Sequence, residues 1–286
     1  MHGLSNPTSA YFTTNDGVRL HYLDKGVGLP LILLPGWTQP ASGFSEQIEE
    51  LSDVFRCLAL DFRGHGESER PEHGYRVSRL ARDLGDFLDH LGLPEAMLLG
   101  HSAGSTVIWS FIDLFGQDRI RALVLCDEMA AFIRRPEWSE EECHRYGAVA
   151  GGDQALSLAA SVAGPDGEQV MRDFLTREFS ADFPKRDVAR VIEGSLKMTR
   201  KAAAELMVSV MQADYRDVLP LIRRPTLCIG GTESHLGPEV MPWIASRIPG
   251  AKVAMIRGRH FVHLENPVEF NATVRDFLEV VTSGAH

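Results

Sequence analysis

Two kinds of hydrophobic pattern run along the chain. Near the amino end, residues from Ala10 to Thr14 and from Val18 to Asp24 alternate around Asn15-Asp16-Gly17, which predicts an antiparallel hairpin closed by an Asp-Gly turn. Beyond it the alternation is lost. Leu29 to Leu34, Phe55 to Leu60, Ala96 to Leu99, Ile120 to Cys126, Pro225 to Gly230 and Lys252 to Ile256 are short, mainly apolar runs. Between them stand segments with apolar residues at helical spacing: Phe44 to Leu51, Val77 to Leu91, Val107 to Phe115, Glu239 to Ile248 and Val268 to Val281. Unbroken apolar strands alternating with helices predict an α/β fold whose mostly parallel, doubly wound sheet is buried on both faces.

The pattern changes once. From about 131 to 214 the chain shows helical periodicity at Ser139 to Tyr146, Asp153 to Val162, Glu168 to Phe179 and Lys201 to Met211, with glycine- or proline-bearing breaks and no convincing strand. This predicts a helical cap of residues 131–214 inserted over the strand ends, and a core made of residues 1–130 and 215–286.

Composition narrows the classes. A chain of 286 residues, 44% of them hydrophobic, can bury one large core. Its 29 basic against 39 acidic residues give a charge of −10 without any offsetting basic run, which argues against a general nucleic-acid partner. Met1 to Pro7 carries neither the basic nor the apolar part of a secretory signal, and no apolar run reaches the roughly 18 residues of a membrane span, so a cytoplasmic protein with no membrane part is expected. Cys57, Cys126 and Cys228 fall in apolar strands and Cys143 in an acidic segment, which is no disulfide framework. Nothing in the pattern fixes an oligomeric state.

The chemistry gathers where the strand at Ala96 meets its helix, in Gly100-His101-Ser102-Ala103-Gly104. A serine between glycines two positions away on either side, at a strand-to-helix turn, is the setting of a nucleophile elbow. Ala103, first in the helix, directs its N–H and the helix N-terminal partial charge toward whatever Ser102 attacks. The loop Pro35-Gly36-Trp37 leaves an early strand at its carboxyl end, the edge where open α/β sheets place ligands, and a late loop carries His260 and His263.

Pro-Gly-Trp early, Gly-His-Ser-Ala-Gly in the middle and Gly-Arg-His-Phe-Val-His-Leu-Glu-Asn-Pro late stand in one order, with Asp61-Phe62-Arg63-Gly64-His65-Gly66 and Arg223-Arg224-Pro225-Thr226 at matching spacing. On these residues the chain resembles the α/β-hydrolase superfamily over essentially its whole length. The resemblance implies Ser102 as nucleophile, His260 as base, and the Trp37 and Ala103 N–H groups as oxyanion donors. A serine at 102, where epoxide hydrolases and dehalogenases carry aspartate, argues against their chemistry.

The third triad member departs from the family pattern. Gly230 to Pro238 holds no aspartate; counting from the glycine puts Glu233 in the acid position, and counting back from Pro238 puts Ser234 there. Some branches carry their acid one strand earlier, where Asp127 follows Cys126. The acid is therefore assigned to Asp127, with Glu233 and then Glu128 as alternatives, and a helix cap as the other use of Asp127.

The expected function is hydrolysis of a small, largely apolar carboxylic ester or lactone through an acyl-serine intermediate: a serine hydrolase with a small-molecule substrate and without metal or organic cofactor. Two alternatives are a cofactor-free dioxygenase acting on a hydroxyquinolone-like heterocycle, against which Ala103 stands where that group has histidine, and a non-catalytic small-ligand receptor. Trp37, His101, Met129 and Phe132 are expected to line the pocket and His65 to be structural. Ala130, Ala131, Phe132, Leu156, Leu158 and Met198 are expected on the lid. No metal is expected at His260 and His263, since no carboxylate or cysteine at ligand spacing joins them.

Overall fold

The computed structural model describes residues 6–283. Eight strands form one sheet: β1 (Thr8–Thr13), β2 (Arg19–Lys25), β3 (Pro30–Leu34), β4 (Arg56–Leu60), β5 (Ala96–His101), β6 (Ile120–Cys126), β7 (Thr226–Gly231) and β8 (Lys252–Ile256). Their order is β1-β2-β4-β3-β5-β6-β7-β8. The opening hairpin and the β2–β4 pair are antiparallel; every other pairing is parallel. Gly17 takes φ 85° in the hairpin turn, which the Thr14 N–H closes onto the Val18 carbonyl.

Eleven α-helices follow in chain order among the described residues: α1 (Ser45–Leu51), α2 (Val77–His90), α3 (Ala103–Phe115), α4 (Glu140–Tyr146), α5 (Gly152–Ala163), α6 (Gly167–Arg177), α7 (Lys185–Ser195), α8 (Arg200–Met211), α9 (Val240–Arg247), α10 (Val262–Glu265) and α11 (Pro267–Ser283). The unbroken apolar strands now have a physical reading. Successive residues of one strand enter opposite cores: Leu31 and Leu33 join Ala122, Val124, Phe270 and Leu278 on one face, whereas Ile32, Leu98 and Leu123 join Leu84, Val107 and Trp109 on the other. Both faces being apolar and covered, alternation has no place in these strands. The four cysteines are unpaired and buried, Cys143 included, because it faces inward from the otherwise exposed α4.

Between β6 and β7 lie α4 to α8, with only isolated bridges, Ala131 to Asp214 and Ile133 to Ala150. The first of these bridges, reinforced by the Tyr215 N–H on the Ala130 carbonyl, draws the two ends of the helical segment together. Ser139 opens α4 with a capping box completed by Glu142, and the Thr199 hydroxyl caps α8. No helix among the described residues is long and apolar enough to cross a membrane.

Candidate active site

Ser102 joins β5 to α3 at φ 52° and ψ −127°, a region L residues rarely enter. Packing forces it there. A Cβ on Gly100 would collide with the Gly104 and Ser105 backbone, and one on Gly104 would collide with the Leu34 carbonyl, so strand, turn and helix close only over glycine. The Ser105 hydroxyl donates to the Gly100 carbonyl, and the Ser102 N–H donates to the Cys126 carbonyl at 2.8 Å, locking the turn to the neighbouring strand.

Asp127 follows β6 with φ 46°, its N–H on the Ile229 carbonyl at 2.8 Å. It caps no helix, since α4 begins only at Glu140. Its Oδ1 accepts the Gly231 N–H at 2.9 Å, and its Oδ2 accepts the Ser234 hydroxyl at 2.7 Å and lies 2.8 Å from His260 Nδ1. That contact fixes the tautomer: the ring proton sits on Nδ1, leaving Nε2 for the cavity. Burial alone pushes the His260 imidazole down, but the Asp127 hydrogen bond and charge, with Glu178 and Glu128 nearby, raise it to about 9.

The other two acids stand elsewhere. Glu233 is exposed, its Oε1 3.5 Å from Arg257 Nε. Glu128 is buried among its own partners, accepting the Thr106 hydroxyl at 3.0 Å and the Met129 N–H at 2.8 Å, and burial holds its carboxyl above the usual range. Neither bonds His260.

His101 donates its Nε2–H to the His260 carbonyl at 2.9 Å, so it holds the backbone that carries the His260 ring. Burial first, then the neighbouring imidazoles, holds His101 well below its ordinary value and His263 down at about 3. Two neutral rings thus flank the one that titrates high. His65 accepts the Thr38 N–H on Nε2 at 3.1 Å and donates from Nδ1 to the Arg63 carbonyl at 3.0 Å. It anchors Thr38, which sits at φ 62°, a strained value for a β-branched residue. This strain sets the direction of the preceding peptide, and the backbone N–H groups of Trp37 and Ala103 donate to nothing among the described residues. The Trp37 indole reaches away, donating to the Ala203 carbonyl of α8 at 2.8 Å and meeting Phe174 of α6 edge-on.

These groups surround one cavity of about 80 Å³, in which Ser102 and His260 share the wall with Trp37, His101, Glu128, Met129 and Phe132. No hydrogen bond joins Ser102 Oγ to His260 Nε2 among the described residues, a looseness common to such sites without substrate. Of the residues expected on the lid, only Phe132 reaches this cavity. Leu156 is half exposed on α5, and Ala130, Ala131 and Met198, which lie outside the helices, are buried, Ala131 in the bridge to Asp214. The wall instead comes from Phe174, Leu175, Met207, Val210 and Met211 on α6 and α8.

Two polar residues of the cavity had no signal in the sequence: Glu178, just past α6, and His235 in the loop after β7. Glu178 is 5% exposed and its carbonyl accepts the His260 N–H at 3.2 Å. Burial pushes its carboxyl up, but His235, His260 and Arg259 outweigh that and hold it below the usual range.

The chain belongs to the α/β-hydrolase fold family, whose model matches residues 30–267. The soluble epoxide hydrolase of Corynebacterium sp. (strain C12) is 33% identical over 268 residues, covering 88% of this chain and 91% of that protein. Haloalkane dehalogenase 2 of Mycobacterium tuberculosis (strain ATCC 25618 / H37Rv) is 37% identical over 118 residues, 41% of each chain, so the match spans less than half of that relative. Among solved structures, a thermophilic esterase from Thermogutta terrifontis (malate bound) has a TM-score of 0.83 at 26% identity, with 96% of this chain and 99% of that one covered. The named relatives divide between hydrolases of different bonds, so the choice among them rests on the residues of the site.

Proposed function

We propose that the protein is a serine hydrolase that cleaves a small carboxylic ester or lactone through an acyl-Ser102 intermediate. The observation that carries this reading is the 2.8 Å contact between Asp127 Oδ2 and His260 Nδ1 in a cavity that also holds Ser102 on a strained elbow. Ser102 Oγ attacks the acyl carbon as its proton passes to His260 Nε2. Charge developing on the carbonyl oxygen is met by the Trp37 and Ala103 N–H groups, the latter at the positive end of α3. His260 then protonates the leaving oxygen, and the same imidazole activates the water that releases the acid.

The likeness to an esterase structure supports this choice, whereas the epoxide hydrolase and dehalogenase likenesses do not extend to it, because a serine hydroxyl replaces the carboxylate nucleophile those reactions use. The segment of residues 131–214 acts as a lid whose inner side is Phe132, Phe174 and Met207, and a cavity of about 80 Å³ suits a short acyl chain rather than a long one. The test is labelling by a fluorophosphonate together with turnover of short p-nitrophenyl esters. Wild type should react at Ser102 and lose turnover in proportion, while Ser102→Ala keeps the fold and neither labels nor turns over. A Ser102→Ala variant keeping more than about a tenth of wild-type turnover refutes the assignment.

A further inference from the structure

Resting on the hydrolase reading above, we propose that Glu178 forms a leaving-group subsite, selecting esters whose alcohol part carries a hydrogen-bond donor, such as a hydroxyl, two carbons from the ester oxygen. The side chain is buried, yet neither carboxylate oxygen accepts a hydrogen bond among the described residues. Oε2 lies under the His235 imidazole, whose Nδ1 comes to 2.6 Å without hydrogen-bond geometry. That leaves Oε1 as the oxygen able to serve the cavity, which Glu178 lines. Oε1 is not sealed as Oε2 is, so a donor arriving in the cavity can reach it.

Position decides which half of the substrate it meets. One ligand atom from each of Glu178, His235 and His260 lies within 4.8 Å of the other two. His260 hands its proton to the leaving oxygen, so the alcohol half of the ester is the part held beside the imidazole, while the acyl oxygen is held by Trp37 and Ala103. A hydroxyl two carbons beyond the leaving oxygen then falls within reach of Glu178. Charge disfavours the opposite class: no lysine or arginine lines the cavity, and the Glu178 carboxylate faces an anionic leaving group while the His235 and His260 imidazoles are already engaged by Glu178 and Asp127. Of the other polar side chains on the wall, Gln39 donates to Ser195 and Glu128 accepts from Thr106 and Met129, and the rest of the lining is mainly apolar.

The experiment compares kcat/KM for the n-propyl, 2-hydroxyethyl and carboxymethyl esters of one short fatty acid, in EDTA, on wild type, Glu178→Gln and Glu178→Leu. The propyl and hydroxyethyl groups are nearly isosteric, so their ratio reads the donor alone. Wild type should favour 2-hydroxyethyl by about tenfold or more and treat carboxymethyl worst. Glu178→Leu should bring the first two together, and Glu178→Gln, which keeps an acceptor but not the charge, should fall between. Equal rates for propyl and hydroxyethyl esters on wild type refute the subsite, whatever the variants do, while leaving the hydrolase reading intact. A preference that needs added Zn²⁺ and vanishes in EDTA also overturns it, in favour of a metal held by Glu178, His235 and His260. No turnover of any ester together with no fluorophosphonate label at Ser102 removes the hydrolase reading and the subsite with it.

Discussion

Replacing Asp127 by asparagine tests the geometry at its most informative contact. The carboxylate takes three donors, from Gly231, Ser234 and His260, and it is the main reason that a largely buried imidazole is raised to about 9 rather than held below its ordinary value. Asparagine keeps the shape but loses the charge and can turn an amide N–H toward Nδ1, which would then accept and leave the wrong tautomer at Nε2. Turnover should fall on the order of 10⁴-fold. The base acts only when neutral, so kcat/KM of wild type should climb with pH to a midpoint near 9, and in Asp127→Asn burial should bring that midpoint below about 6.5. Stability gives an independent reading. Because pairing raises the folded-state value above the unfolded one, its stabilisation is complete below about pH 6.5 and is lost as pH rises through about 9; at about 1.4 kcal/mol per pKa unit it amounts to about 3 kcal/mol. Urea denaturation at pH 6 and pH 10 should therefore show the wild-type advantage over Asp127→Asn shrinking at the higher pH. A midpoint that stays put in the variant, or a loss of turnover below about tenfold, refutes the pairing.

Glu233→Gln, on an exposed side chain facing Arg257, should leave turnover within about twofold of wild type; a loss comparable to that of Asp127→Asn reassigns the acid. Ser102→Gly should abolish hydrolysis and raise the denaturation midpoint, since relieving a serine from φ 52° is worth about 1 kcal/mol, and a less stable variant contradicts the strain. His65→Phe removes the acceptor that holds the Thr38 N–H, loosening the Trp37 peptide, which the proposed mechanism uses only in the transition state. Steady-state kinetics should show kcat lower by about tenfold or more with KM little changed, and a change confined to KM counts against this positioning role.

Much of the fold is legible because its signals are local. Asn15-Asp16-Gly17 fixes the hairpin, and the doubly buried strands announce themselves by lacking alternation. What is not legible depends on distant partners. The sheet order places β4 between β2 and β3, which no local pattern carries. The helix Lys185–Ser195 escapes notice because Val188, Val191 and Ile192 are a narrow stripe among charges, enough to cover neighbouring helices but weak as periodicity. Glu178 reads as a surface residue after Arg177 in sequence, and only packing of α6 against the loop of His260 turns it inward.

The acid shows why counting along a chain reaches its limit. β6 and β7 run parallel side by side, Leu123 opposite Thr226 through Cys126 opposite Ile229, so the loops leaving them start about 5 Å apart. A carboxylate on either loop can therefore meet the same imidazole nitrogen. Once Asp127 does so, the position opposite it cannot also carry a carboxylate without setting two negative charges within hydrogen-bond distance. Ser234 stands there and donates to Asp127 Oδ2, turning the vacated acid position into support for the displaced acid. The neighbouring Glu233, in a turn closed by the Ser234 N–H on the Gly231 carbonyl, points outward to Arg257. An offset of one residue, invisible to a count from either end of Gly230 to Pro238, thus decides between a carboxylate in solvent and a hydroxyl in the proposed triad. Under the proposed triad, the absence of aspartate from that loop goes with Asp127 holding the imidazole, and no catalytic group need have been lost.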